Sequence, residues 1–218
     1  MSTLGNWLDE RLGWKTIWQN VFIRKVPKVN WFYTLGSATM IVGMIQGVTG
    51  ILLTLYYVPS PDQAYDSVQY ITNVLPAGWF IRGLHHWGSS AMLILAVLHM
   101  LRVIIFGAYK FPREITWFTG VALLLMAVGF GFTGYLLPWD QKAYWATTVG
   151  TRIIGVVPWV GEAILRIARG GPELSALSLV RFFGVHVWFL PAVSVALVGV
   201  HIYLVIKLGI SAPPKRDE

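Results

Sequence analysis

Four histidines stand as two matched pairs inside strongly apolar stretches, and imidazoles spaced in this way can ligate metal. His85 and His99 lie 14 residues apart in IRGLHHWGSSAMLILAVLHMLRVIIFG, and His186 and His201 lie 15 apart in LVRFFGVHVWFLPAVSVALVGVHIYLVIKLG. On a helix, either pair spans roughly 21–22 Å. At about 100° per residue, the first pair returns to within about 40° of its starting direction and the second to within about 60°. Each helix therefore turns two imidazoles to one side, one near each face of a membrane. Packed side by side, the helices oppose His85 to His186 and His99 to His201. Neutral imidazole is a standard axial ligand of haem iron, and polar groups in hydrocarbon are costly enough to mark function. Two bis-histidine sites stacked through a bilayer would carry electrons across it. His86 points about 100° away from His85 and reads as a packing residue.

The elements that must hold these residues follow from composition. The chain has 218 residues, 56% of them hydrophobic and only 12% charged, as in a polytopic membrane protein. Four candidate spans emerge, at about 31–58 (A), 79–106 (B), 115–137 (C) and 177–208 (D). Asn30 stands as an N-cap before span A, Pro138 ends span C, and Pro191 should bend span D. The first 30 residues alternate charge with aromatics (Trp7, Arg11, Trp14, Lys15, Trp18, Phe22) and lack the apolar run of a signal peptide. They read as an amphipathic helix at the interface. The C–D connection contains YWATTVGTRIIGVVPWVGEAILRIARGG, too apolar for a free loop. It predicts two short surface helices hinged at Pro158. The expected fold is an all-α membrane protein: a four-helix transmembrane bundle enclosing two b-type haems, with residues 1–218 forming one domain.

Charge sets orientation. The formal net charge of +7 would suggest nucleic acid in a soluble protein, but here the cations flank apolar spans, so lipid and topology explain them. Arg11, Lys15, Arg24, Lys25 and Lys28 precede span A, Lys110 and Arg113 join B to C, and Lys207, Lys215 and Arg216 follow the apolar part of D. The A–B connection carries Asp62 and Asp66 with no Lys or Arg. The positive-inside rule places both termini on the cytoplasmic-type side. The absence of cysteine excludes disulfides, iron–sulfur ligation and thioether-linked haem.

Glycine repeats the histidine interval. Gly36 and Gly50 in span A are 14 apart, as are Gly120 and Gly134 in span C. Close helix packing would explain them alone. The shared interval in all four spans favours glycines that let a flat porphyrin lie against backbone at the depth of each histidine pair. Arg82, one turn before His85, and Arg113 beyond the His99 end are candidates for holding haem propionates, although such arginines also snorkel.

The stretches VNWFYTLG (29–36), SVQYI (67–71), FPREITWFTG (111–120), GFTGYLLPWDQKAYWA (131–146), RFFGVHVWFLP (181–191) and KLGIS (207–211) closely resemble cytochrome b6, the four-helix N-terminal half of the cytochrome b family. The resemblance runs from about Trp7 to Ser211, and the 15-residue spacing in span D matches the b6-type branch. It implies a subunit of a bc1/b6f-type quinol oxidoreductase in the cytoplasmic or thylakoid membrane. A lower-potential outer haem would sit on His85 and His186, and a higher-potential inner haem on His99 and His201. Quinol oxidised at the outer face would send one electron to a Rieske iron–sulfur protein and thence a c-type cytochrome. The other would cross the two haems to an inner quinone site, translocating protons. Tyr144 would help wall the outer quinone site and Lys207 the inner one, and the complex would be a homodimer.

Two departures bear on that expectation. The family's b6-type members and menaquinol-oxidising relatives tether an extra haem through a cysteine in span A, where this chain has Thr34. Any third haem would be non-covalent. The family's Pro-Glu-Trp-Tyr segment, whose glutamate accepts a quinol proton, lies beyond span D, so a separate subunit IV-like chain is expected to supply it. The alternative reading is a dihaem membrane anchor of a hydrogenase or formate dehydrogenase, which would not be expected to carry GYLLPWDQ.

Overall fold

A segment crossing hydrocarbon must satisfy its own backbone, which for a single strand of chain means a helix. The computed structural model describes residues 3–13, 15, 18–19 and 30–211, and every regular element among them is helical. Span A is a 3₁₀ turn (Trp31–Thr34) running into α2 (Leu35–Thr54). Span B is α4 (Gly78–Ile105) and span C is α5 (Glu114–Leu136). Span D joins α8 (Ala176–Gly184), a π-helical turn (Val185–Phe189) and α9 (Leu190–Leu208). All four are long and apolar enough to cross a membrane. Span A packs along B, and D along C, with B and C touching between the two pairs.

The short helices are α1 (Thr3–Leu12), α3 (Ala64–Asn73), α6 (Gln141–Gly155) and α7 (Gly161–Arg169). In α1, Arg11 lies 4.4 Å over the ring of the exposed Trp7. Of the rest of the expected amphipathic segment, Trp14, Phe22, Arg24, Lys25 and Lys28 lie outside the described residues. The A–B connection, for which no helix is expected, contains one: α3 buries Ala64, Ser67, Val68 and Ile71, a 3.6-residue stripe. Span A ends at Thr54 rather than near residue 58, with Pro59 close behind disfavouring further helix. Asn30 precedes the first turn in extended conformation but makes no side-chain cap bond.

The expected hinge is present. Asp140 caps α6 by accepting the Ala143 N–H at 2.7 Å, and Pro158 separates α6 from α7. Arg169 fastens the pair. Only 2% exposed, it donates to Thr151 Oγ1 (2.7 Å), to Thr148 O (2.8 Å) and to Pro172 O (2.8 Å). Arg169→Met would leave these acceptors buried without a donor, a loss on the order of 3 kcal/mol. Limited proteolysis of the purified protein should then cut near α7 well before it cuts wild type, while equal cutting rates would contradict the fastening role.

Span D explains its own odd spacing. Pro191 lacks the N–H that its helix would use, and just before it the Leu190 N–H bonds five residues back, to Val185 O. A π turn absorbs one extra residue. The 15-residue interval therefore advances like 15 − 1 = 14 helical positions, matching span B, and the 60° offset expected from straight geometry shrinks towards 40°.

Candidate metal centres between the spans

His85 on span B faces His186 in the π turn of span D, their ring centroids 6.3 Å apart and their planes at 78°. A metal bound by both rings needs two metal–nitrogen bonds of about 2.0 Å plus about 1.1 Å from each nitrogen to its ring centre, roughly 6.2 Å in all. The observed separation fits. Among the described residues no three His, Cys, Asp or Glu side chains converge. A metal here takes two protein ligands and must bring its remaining donors with it, as porphyrin iron does.

The tautomers follow from counting protons. Thr49 Oγ1 lies 3.0 Å from His85 Nδ1, and Thr133 Oγ1 lies 3.0 Å from His186 Nδ1. Each hydroxyl has one proton, and each spends it on the carbonyl four residues back: Thr49 on Ile45 O and Thr133 on Gly129 O, both at 2.7 Å. Toward histidine these oxygens can only accept. The same two imidazoles hydrogen-bond the backbone of Gln46 and Phe130, and the Nδ1–H tautomer that these acceptors assign would leave the Nε2 lone pairs free for a metal. Phe130 closes on His186 edge-on at 5.5 Å.

At the other depth, His201 Nδ1 lies 2.9 Å from Thr119 Oγ1, whose proton goes to Thr116 O at 2.8 Å. His99 lies within electrostatic reach of His201 and Arg102. Its Nδ1 is buried with no hydrogen-bond partner among the described residues.

The glycines stand at the depths expected, against a different neighbour. A Cβ on Gly50 would lie 3.2 Å from His85 Cε1, and on Gly36 3.0 Å from His99 Cε1. On Gly134 it would lie 2.7 Å from His186 Cε1, and on Gly120 3.4 Å from that of His201. Span A thus makes room for the imidazoles of B, and span C for those of D. The close contact at each depth is glycine to imidazole.

The remaining expected residues separate. Arg82 is half-buried one turn before His85. Arg113 is spent elsewhere: its guanidinium donates to Gly209 O (3.3 Å) and Leu208 O (3.4 Å), closing the end of span D. Lys207 is exposed, its Nζ 5.9 Å from the Tyr203 ring. Tyr144 packs edge-on to Trp139 (5.7 Å) beside the buried cluster of Ala64, Leu136, Leu174, Leu179 and Phe182. A cleft of about 220 Å³ opens between α5 and α6, lined by Gly131, Phe132, Tyr135, Ala146 and Thr147 but not by Tyr144. His86 is exposed against Trp87, away from the centres.

Sequence reading passed over two kinds of residue. The threonines carried a signal, since three of the four spaced glycines follow a threonine directly. Arg102 did not, because a cation near a helix end ordinarily reads as snorkelling. Here it is 9% exposed, with its guanidinium 3.6 Å from the Tyr33 ring centre, Nη2 3.4 Å from Ser211 Oγ, and a buried Nε without a partner among the described residues.

Fold and site together define a class: a multi-pass integral membrane protein with paired imidazoles between two helix pairs. The Cytochrome b/b6/petB family model matches residues 22–209, and the chain belongs to the cytochrome b family, whose members bind haem b. It is 43% identical to the menaquinol:cytochrome c reductase cytochrome b subunit of Geobacillus thermodenitrificans, over 98% of this chain and 99% of that one. It is 41% identical to cytochrome b6 of Cyanidium caldarium, over 98% and 100% respectively. Its fold matches a chain of a hyperthermophilic respiratory Complex III with a TM-score of 0.87 at 35% identity, covering 95% of this chain and 56% of that one.

Proposed function

We propose that this chain is the dihaem cytochrome b subunit of a quinol-oxidising bc-type complex. His85 with His186, and His99 with His201, would each hold one haem b without covalent attachment. The observation that carries the reading is the His85–His186 pair, 6.3 Å apart, with each Nδ1 facing a threonine hydroxyl. Bound haem would supply one-electron transfer at each depth. The chain's own part is to present neutral imidazoles in fixed orientation and to keep them out of water. Arg82 and Arg102, one turn outside each histidine on span B, are positioned to meet propionates. Gly36, Gly50, Gly120 and Gly134 give the rings clearance. Arg113, turned to the end of span D, is a weaker candidate than Arg102.

The relatives support the wider reading. A menaquinol:cytochrome c reductase subunit and a cytochrome b6 both align over nearly their whole length. They lend no support to a hydrogenase or formate dehydrogenase anchor. Quinol, a Rieske protein, a c-type cytochrome and a subunit IV-like chain are the proposed partners, within a homodimeric complex. The cleft between α5 and α6 is the candidate outer quinol pocket, and Lys207 keeps only its place near the inner end. Both termini face the n-side, and residues 1–218 act as one domain. Thr34, whose hydroxyl donates to Trp31 O at 2.6 Å, offers no thioether to a further haem.

The test is a reduced-minus-oxidised spectrum of the purified complex with pyridine haemochrome quantitation. Two extractable b-haems per chain, no residual covalent haem on it, and about one b-haem in His85→Ala are expected. Haem that resists extraction from this chain would overturn the non-covalent assignment. A full complement in His85→Ala would overturn the ligand assignment.

A further inference from the structure

Three of the four imidazoles bring Nδ1 to a threonine hydroxyl and also hydrogen-bond a backbone carbonyl, of Gln46, Thr116 or Phe130, and the fourth does neither. Thr49, Thr119 and Thr133 each sit one residue before a spaced glycine and meet His85, His201 and His186 at 2.9–3.0 Å. The remaining glycine, Gly36, follows Leu35, which has no acceptor to offer. The Tyr33 hydroxyl is buried without a hydrogen-bond partner among the described residues and does not pair with His99, and the neighbouring threonines and serine bond along their own helix. Thr34 Oγ1 donates to Trp31 O, Ser37 Oγ to Thr34 O and Thr39 Oγ1 to Leu35 O, and none of them pairs with His99. The two centres thus differ chemically: two accepted Nδ1 protons at His85–His186, one at His99–His201.

That difference acts on a bound metal. Drawing the Nδ1 proton toward an acceptor makes the ring a more basic, stronger donor through Nε2. A stronger donor stabilises ferric over ferrous iron, and hydrogen bonding around axial ligands is one of the protein's controls on haem potential. Charge acts as well, through Arg102 near His99, so the hydrogen bonds must be tested apart from it.

Resting on the haem reading above, we infer that Thr49 and Thr133 are positioning residues that hold the His85–His186 haem at the lower potential, and that leucine in place of threonine at position 35 leaves the His99–His201 haem at the higher one. These hydrogen bonds would add to a downhill step from the first centre to the second, beside whatever charge contributes.

The experiment is an equilibrium redox titration of the purified complex, followed in the haem α-band, with haem content measured on the same samples. Thr133→Val should raise the midpoint of the lower-potential haem and leave the other in place, while Thr133→Ser, which keeps the hydroxyl, should return it towards wild type. Leu35→Thr should lower the midpoint of the higher-potential haem and narrow the gap from the other side. Unchanged midpoints in Thr133→Val and Leu35→Thr, with two haems present, would overturn the inference and leave the haem reading intact. Should valine expel the haem, Leu35→Thr alone decides. Fewer than two b-haems in wild type would sink the haem reading and this inference with it.

Discussion

Gly134→Ala should empty the His85–His186 centre and leave the other filled, so that the chain carries about one haem in place of two. The added Cβ would fall 2.7 Å from His186 Cε1 and 3.2 Å from both ring nitrogens. Atoms do not share such space, and the ring has nowhere to retreat. Its Nδ1 is held by Thr133, the residue next to the substitution, and Phe130 stands 5.5 Å away. Intrinsic propensity runs the other way, since alanine favours a helix over glycine by about 1 kcal/mol. Any loss therefore reports the collision. The same change at Gly120 places its Cβ 3.4 Å from His201, an ordinary contact, and should leave both haems. Gly50 and Gly36, at 3.2 and 3.0 Å, should fall between. Haem content across the four variants measures the order; equal losses at Gly134 and Gly120 would refute the steric argument.

Removing one residue from span D should have opposite consequences a few residues apart. The π turn stores the extra residue, so deleting Val187 allows a regular helix with His186 and His201 in the same phase as before. Regular helix would bring the Pro191 ring against a carbonyl, at a cost of about 3 kcal/mol, so the deletion is best made with Pro191→Ala. That variant should keep both haems. Deleting Val198, in regular helix below the turn, instead rotates His186 relative to His201 by about 100° and should cost at least one haem. Retention of both haems by the second variant, or loss in the first, would show that the π turn does not set the register.

Much of this arrangement could be read in advance because it rests on periodicity. Apolar runs located four spans, histidine and glycine intervals located two depths, and Pro158 located a hinge, since each depends on the chain near itself. The misses have local causes too. Helix α3 carries a clear stripe at Ala64, Ser67, Val68 and Ile71, but it is short, polar on its far side and introduced by Pro59 and Pro61, which favour a loop reading. The π turn leaves its trace in the spacing of 15, and its position depends on how Pro191 is accommodated. Arg113 and Arg102 look alike in sequence. One caps the end of span D and the other lies against Tyr33, a distinction made only by which helix ends come together. The threonines left a trace in preceding three of the glycines, but a hydroxyl in an apolar helix normally bonds to its own backbone, and these do so while also meeting histidine.

The pairing of spans also bears on biogenesis. A packs on B and C on D, and each proposed metal centre would take one imidazole from B and one from D. Apolar helices gain little from lipid exclusion when they meet one another, so the seam between the two hairpins is the weak joint of the bundle. A group bound across that seam adds its binding free energy to their association. On the proposed reading, cofactor loading would then be an assembly step as well as an activation step.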